Sequence, residues 1–293
     1  MNAPVFKGSG VALVTPMNED GSVNYQKLGE LIDFQINNST DALVICGTTG
    51  ESKTLENKEH EEVIKYSIEF AAGRVPVIAG TGSNDTAYSV RLSKFARNAG
   101  ADALLLVTPY YNKATQKGLV RHFQKIAGNV DIPCILYNVP SRTGMNIELS
   151  TYEQLAKIDN IVAVKEASGN ISQIAGIAAC CDMDIYSGND DQIVPIMSLG
   201  GIGVISVLAN IMPYETHQLC MHMLDGNTDI ALKMQLDYLK IINALFCEVN
   251  PIPVKSALNL MGMNVGPLRL PLCGMEEHNL NRLKAELKAL NLI

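Results

Sequence analysis

The chain has 293 residues, 47% of them hydrophobic and 18% charged, with a formal net charge of -7 at pH 7. That length suits one large domain of barrel size, or a barrel with a small appendage, and an acidic balance argues against nucleic acid or an anionic membrane as partner. No apolar run approaches transmembrane length, and the opening MNAPVFKGSGVALVTP lacks the layout of a signal peptide, so a soluble cytoplasmic protein is expected.

Eight short apolar runs recur, each followed by a Gly/Ser/Thr/Asn/Pro cluster and then a polar amphipathic segment. They are GSGVALVTP (8–16), DALVICGTTG (41–50), VPVIAGTG (75–82), DALLLVTPYY (102–111), IPCILYNVP (132–140), IVAVKEAS (161–168), DIYSGND (184–190) and GIGVISVLAN (201–210). Their hydrophobicity is continuous, as in parallel strands buried on both faces. The intervening segments read as helices. In 117–127, Leu119, Val120, Phe123, Ile126 and Ala127 share one face. Ser150 followed by Glu153 resembles a capping box ahead of Leu155 and Ile158.

Eight strands alternating with helices predict a (β/α)8 TIM barrel, a fold of ~250 residues. An open doubly wound sheet is the alternative, because periodicity does not show closure. Its usual dinucleotide fingerprint is missing, since Gly201 and Gly203 belong to no G-x-G-x-x-G. After residue 224 the strand pattern stops. Ile230, Met234, Tyr238, Ile241, Ile242 and Leu245 form one helical stripe, and Leu280, Leu283, Leu287 and Leu290 another. The expected division is a catalytic barrel over 1–224 and a C-terminal helical appendage over 225–293, its apolar faces packed on the barrel or on a second subunit.

The seven cysteines (46, 134, 180, 181, 220, 247 and 273) are scattered and include no C-x-x-C pair, so they read as small core residues of a reducing compartment. His217 with Cys220, and His222 nearby, is the nearest thing to a ligand cluster. These read as ordinary helix residues, and no metal is expected.

In a (β/α)8 barrel the active site lies at the C-terminal ends of the strands. Strand two ends in Gly47, Thr48, Thr49, Gly50 and Glu51, and strand four in Thr108, Pro109, Tyr110 and Tyr111. Strand five ends in YNVPSRTG (137–144), strand six in Lys165 and Glu166, and strand seven in Ser187, Gly188, Asn189 and Asp190. Collected on one rim, these supply an amine, phenols, hydroxyls and one guanidinium. Burial penalises a lysine's charged form, so Lys165 either snorkels to water or serves chemistry that needs an uncharged amine. An amine with phenolic partners suits carbonyl chemistry through a Schiff base, in which an iminium acts as electron sink for an enamine. Lys255, in PIPVKSALN, also has apolar neighbours but falls after the barrel on a predicted helix, and ranks below Lys165. GTTGE is not a P-loop. Taken singly, Tyr110 and Tyr111 read equally as loop packing, and Arg142 as a surface charge.

GTTGES (47–52), YNVPSRTG (137–144), VAVKEASGN (162–170) and YSGND (186–190) closely resemble the dihydrodipicolinate synthase family of pyruvate-dependent class I aldolases, and the resemblance covers essentially the whole chain. It implies a lyase-type enzyme without cofactor or metal, condensing pyruvate with L-aspartate 4-semialdehyde on the diaminopimelate route to lysine. By the same resemblance Lys165 forms the Schiff base, and Tyr137 is the general acid/base. Thr49 and Tyr111 complete a proton relay with Tyr137, and Tyr111 reaches a neighbouring subunit's site. Thr48 and Thr49 hold the pyruvate carboxylate, while Gly188 and Ile205 line its pocket. Arg142 grips the carboxylate of the second substrate, a contact suited to a planar fork. The assembly implied is a homotetramer, a dimer of dimers. Sister aldolases that cleave sialic acid or keto-deoxy sugar acids generally lack the Arg-Thr-Gly after the tyrosine. A non-catalytic metabolite-binding barrel would be expected to lack Lys165 or Tyr137.

In lysine-inhibited members an interface pocket binds free lysine near the residues matching Ser52, Lys53, Asn57, His60, Asn84, Tyr88 and Tyr110. Those members typically carry an acidic residue where this chain has Tyr88, and Lys53 adds a like charge. Loss of a buried ion contact costs on the order of 2–5 kcal/mol, so feedback by lysine is expected to be weak or absent.

Overall fold

The computed structural model describes residues 3–293. The strands are β1 (Gly8–Ala12), β2 (Ala42–Ile45), β3 (Val77–Gly80), β4 (Ala103–Val107), β5 (Cys134–Asn138), β6 (Ile161–Glu166), β7 (Asp184–Ser187) and β8 (Gly203–Ser206). They pair in chain order, all parallel, and β8 returns to β1, so the sheet is a closed barrel and the open-sheet alternative falls. Helices Tyr25–Asn37, Asn57–Ala71, Thr86–Ala99, Gln116–Ala127, Leu149–Leu155, Ile171–Cys180, Ile193–Ser198 and Pro213–Leu224 follow the strands.

Several helices start where the loop supplies an oxygen. The side chains of Asn24, Asp85, Thr115 and Asn170 each accept a hydrogen bond from a first-turn amide. Ser150 does not play this part. Its helix begins one residue earlier behind Glu148, because Tyr152 is buried and the Thr151 hydroxyl donates to Gln116 Oε1 at 2.7 Å, which leaves Ser150 inside the first turn.

Side chains alternate along each strand between two buried layers, which is why the runs are continuously apolar. Leu43, Ile45, Leu104, Leu106, Leu136 and Val164 face the helices. Ala42, Val44, Ala103, Leu105, Ile135, Tyr137 and Ala163 face the inside of the barrel. Small inner residues leave room for larger groups. Phe6, just ahead of β1, stacks on Tyr186 of β7 with ring centroids 4.3 Å apart, and the Tyr186 hydroxyl donates to the Phe6 carbonyl at 2.7 Å. A Cβ on Gly10 would meet the Phe6 ring at 2.8 Å. This pair fills the barrel interior beside the start of β1.

Beyond residue 224 lie helices Thr228–Asp237, Leu239–Leu245, Ile252–Leu260 and Glu277–Ala289. The expected first stripe is interrupted at Tyr238. Ile241, Ile242 and Leu245 are buried, but Ile230 is exposed, and Ala231 and Gln235 pack its helix instead. Gln235 is held by polar contacts that a search for apolar residues passes over. It accepts from the Val194 amide at 3.3 Å and donates to the Asp190 carbonyl at 2.9 Å. All seven cysteines are free thiols. Only Cys46, Cys134 and Cys220 are core residues; Cys180, Cys181 and Cys247 are half-buried and Cys273 is exposed. No helix among the described residues is long and apolar enough to cross a membrane.

Candidate active site

Lys165 sits on the inner face of β6, in register with Tyr137 of β5 and Tyr186 of β7. It is only 6% exposed, so it does not snorkel. Its Nζ lies 4.5 Å from the centroid of the Tyr137 ring. Burial pulls the ammonium pKa from 10.5 to about 8; the Asp190 carboxylate opposes this, and the Arg142 guanidinium adds to it. Asp190 is itself fixed, its Oδ2 accepting from the amides of Val207 at 3.0 Å and Leu208 at 2.9 Å.

The next residue, Glu166, points to the opposite face and is fully buried. It accepts from Asn138 Nδ2 at 3.1 Å, the Tyr152 hydroxyl at 2.9 Å and the Ser168 amide at 2.8 Å. This network pins the end of β6 and with it the direction of Lys165. Burial, and then the Glu166 carboxylate, push the Tyr152 phenol well up. Gly188 closes the same corner. Its amide donates to the Glu166 carbonyl at 2.8 Å, and a Cβ there would meet the Ala167 methyl at 2.6 Å, so only glycine permits the approach.

The turn after β2 carries two left-handed residues, Cys46 at φ 56° and Glu51 at φ 52°. Gly50 packs on the Cys46 backbone, and its carbonyl accepts from the Thr15 hydroxyl at 2.7 Å. Glu51 is 4% exposed and pairs with Lys255 at 2.8 Å. Lys255 also donates to the carbonyls of Thr15 at 3.1 Å and Pro267 at 2.5 Å, and the Arg269 amide donates to Glu51 at 3.0 Å. The second buried lysine is therefore a brace between the C-terminal helices and this turn.

Within the turn, the two threonines part company. The Thr48 hydroxyl faces the Tyr137 phenol and favours its ionised form; burial outweighs that and raises the phenol's pKa, with Arg142 also opposing. Thr49 makes no hydrogen bond to Tyr137 among the described residues. It is buried at 3% exposure and accepts from Asn250 Nδ2 at 3.0 Å. Of the two threonines expected near Tyr137, Thr48 is the one that bears on its phenol, while Thr49 is engaged by Asn250.

After β5 a four-residue helix, Pro140–Thr143, opens on proline and ends at left-handed Gly144. It presents Arg142, whose Nη2 donates to the Asn250 carbonyl at 3.1 Å. A cavity of about 300 Å³ opens here, lined by Thr48, Tyr137, Val139, Arg142 and Asn250 among others. Lys165 and Thr49 are not among the residues lining it, and Ile205 is buried inside the barrel with the Tyr137 cluster. Tyr111 stands apart, 93% exposed at φ 68°.

The residues expected around a lysine effector are also near one another. Lys53 lies 5.0 Å from the Tyr110 ring centroid and donates to the Gly82 carbonyl at 3.1 Å. Asn84 donates to the Tyr110 carbonyl at 3.1 Å. His60, bonded to the Gly80 carbonyl at 3.0 Å, is held neutral by burial, its pKa pulled to about 4. The Arg91 guanidinium lies 4.9 Å from the Tyr88 ring centroid. Ser52 lines the cavity with Lys53 and Tyr110, and Asn57 is exposed where its helix begins. His217 is taken up by Asp41 at 2.7 Å, and Cys220 is fully buried.

Asn250 is the site residue that sequence reasoning missed. VNPIPVKS has no catalytic signature, and the residue meets Thr49 only across a separation of 201 positions.

A closed barrel with an amine, a phenol and a guanidinium gathered at its C-terminal rim defines a (β/α)8-barrel enzyme of the lyase type. The chain matches the Dihydrodipicolinate synthetase family over residues 5–290, and it belongs to that family. It is 61% identical over 292 residues to a 4-hydroxy-tetrahydrodipicolinate synthase of Lachnoclostridium phytofermentans, covering 99% of both chains. The crystal structure of dihydrodipicolinate synthase from Aquifex aeolicus superposes with a TM-score of 0.96 at 46% identity, over 98% of this chain and 99% of that one. A dihydrodipicolinate synthase variant described as monomeric is 39% identical, with a TM-score of 0.96 over 99% of this chain and 98% of that one.

Proposed function

We propose that the protein condenses pyruvate with L-aspartate 4-semialdehyde, the reaction of a 4-hydroxy-tetrahydrodipicolinate synthase, through a Schiff base on Lys165. The observation that carries this reading is a buried amine with its pKa drawn down to about 8, set against the face of a phenol. At pH 7 such an amine is roughly one-tenth neutral, against less than a thousandth for an ordinary lysine.

Lys165 Nζ attacks C2 of pyruvate, forming a carbinolamine. Loss of water, with the oxygen leaving protonated, yields the iminium. The Tyr137 phenol has a raised pKa and so arrives carrying the proton this step needs. Loss of a proton from C3 makes the enamine, whose carbon bonds to the aldehyde carbon of the second substrate while the aldehyde oxygen takes up a proton. The substrate's amino group then adds to the former C2, closes the ring and releases Lys165 as the free amine. Arg142, projecting over the cavity, receives the second substrate's carboxylate. Thr48 and Thr49 hold that of pyruvate, with Gly188 and Ile205 behind it.

Tyr111 fits donation to the site of a second copy, since a phenol 93% exposed on a left-handed backbone has no work within its own chain. That role requires at least a dimer, and a homotetramer built as a dimer of dimers is the assembly we propose. For the effector pocket, Arg91 at Tyr88 and Lys53 at Tyr110 put two cations where a ligand's ammonium would need an anion.

The test is to mix the protein with pyruvate, reduce with borohydride and map the modified residue by peptide mass spectrometry. Product formation from aspartate semialdehyde is then compared between wild type and Arg142→Ala. The expected result is a reduced pyruvate adduct on Lys165 in both proteins, with turnover lost only in the variant. An unmodified Lys165 would refute the mechanism, and full turnover by Arg142→Ala would refute the second-substrate assignment.

A further inference from the structure

We infer that Asn250 is a positioning residue for this reaction, acting through Thr49 to aim its hydroxyl hydrogen at the pyruvate carboxylate. The inference rests on the proposed function.

The Asn250 amide nitrogen donates to Thr49 Oγ1 at 3.0 Å. A hydroxyl that accepts in that direction must send its own hydrogen elsewhere. Among the described residues Thr49 donates to no acceptor, so the turn after β2 holds a buried, oriented and unspent donor. A carboxylate is the partner such a donor suits, and a charge-assisted bond of this kind is stronger than a neutral one.

The direction of the amide has a physical basis. Turned over, it would leave both amide hydrogens without partners at a site 5% exposed, whereas the present direction leaves one of them and the Oδ1 acceptor unmade. Under-satisfied carbonyl oxygens are the better tolerated of the two.

The backbone of the same residue has a second task, since its carbonyl accepts from Arg142 at 3.1 Å. One residue of the segment beyond the barrel thus touches the hydroxyl on the pyruvate side through its side chain and the guanidinium on the aldehyde side through its main chain. Side-chain substitution removes the first contact and spares the second.

The experiment uses the full-length protein and the variants Asn250→Leu and Asn250→Asp. The first deletes the amide, and the second keeps its shape but can only accept, which turns the Thr49 hydrogen toward itself. Both are expected to raise KM for pyruvate about tenfold, the loss of one oriented hydrogen bond, and to leave KM for aspartate semialdehyde within about twofold. The adduct on Lys165 still forms at saturating pyruvate, and Asn250→Leu melts within about 3 °C of wild type. In a Thr49→Val background, Asn250→Leu produces no further rise, as required of a residue acting through Thr49. An unchanged KM for pyruvate in both variants overturns the inference, and so does a rise that adds fully to that of Thr49→Val. If Asn250→Leu does not fold, Asn250→Asp and its cycle with Thr49→Val decide alone. Absence of the adduct in wild type would instead overturn the Schiff-base reaction itself, and the inference with it.

Discussion

Replacing Lys255 by methionine isolates the brace behind the turn after β2. The ammonium makes three bonds there, to Glu51 and to the carbonyls of Thr15 and Pro267, with both charged side chains shielded from water. Methionine matches its length but leaves the Glu51 carboxylate buried with the Arg269 amide as its main remaining partner. Breaking a buried pair from one side costs about 3–5 kcal/mol. A chain of 293 residues unfolds with an entropy of roughly 0.6 kcal/mol per kelvin, so the melting temperature should fall by about 5–8 °C in differential scanning calorimetry. Because Glu51 ends the turn that carries Thr48 and Thr49, kcat/KM should fall as well. Adding Glu51→Gln removes the stranded charge, and the double variant should recover a large part of the stability lost. A fall of under about 1 °C for Lys255→Met, or a double variant that loses the sum of the two single effects, would refute this account of the pair.

Lys165→Met should stabilise the protein at pH 7 by up to about 3 kcal/mol while abolishing the adduct, since a pKa lowered from 10.5 to about 8 means that the fold pays to hold a charged amine. The unfolded chain binds the proton up to 10.5 and the folded chain only to about 8, so wild-type stability rises with pH between those values; the variant's advantage in melting temperature should therefore be full below pH 8 and vanish above 10.5, and a constant advantage would count against the shift. Free lysine should inhibit weakly or not at all in steady-state assays, because Arg91 and Lys53 stand at Tyr88 and Tyr110 where a countercharge is needed; half-inhibition below a millimolar would show that another carboxylate serves.

The barrel was legible because its strands are buried on both faces. Eight continuous apolar runs, each capped by turn residues, leave little else to build. Lys165 was legible for a related reason: a cation at the end of such a run needs an explanation wherever it points. What could not be read depends on contacts made at a distance. Thr48 bears on the Tyr137 phenol and Thr49 meets Asn250, in a turn that contains a left-handed Cys46, and no local pattern announces a positive φ at a cysteine. Lys255 looked like a weaker copy of Lys165 until Glu51, 204 residues away, supplied its partner. Ser150 carried a cap-like spacing that the burial of Tyr152 overrode. Ile230 fitted an apolar stripe, but its helix is seated by Gln235 through hydrogen bonds. Asn250 needed both the fold and a tally of which hydroxyls have somewhere to donate.

The stacked rings of Phe6 and Tyr186 have a consequence for traffic. They fill the barrel interior beside the start of its first strand, as side chains do in this fold, while the cavity beside Tyr137 opens where Arg142 stands. In the reaction proposed above both reactants would then enter from the Arg142 side. The keto acid, bound to the deeper amine, would be expected to arrive before an aldehyde gripped at the rim, so the filling of the barrel would set the order of traffic.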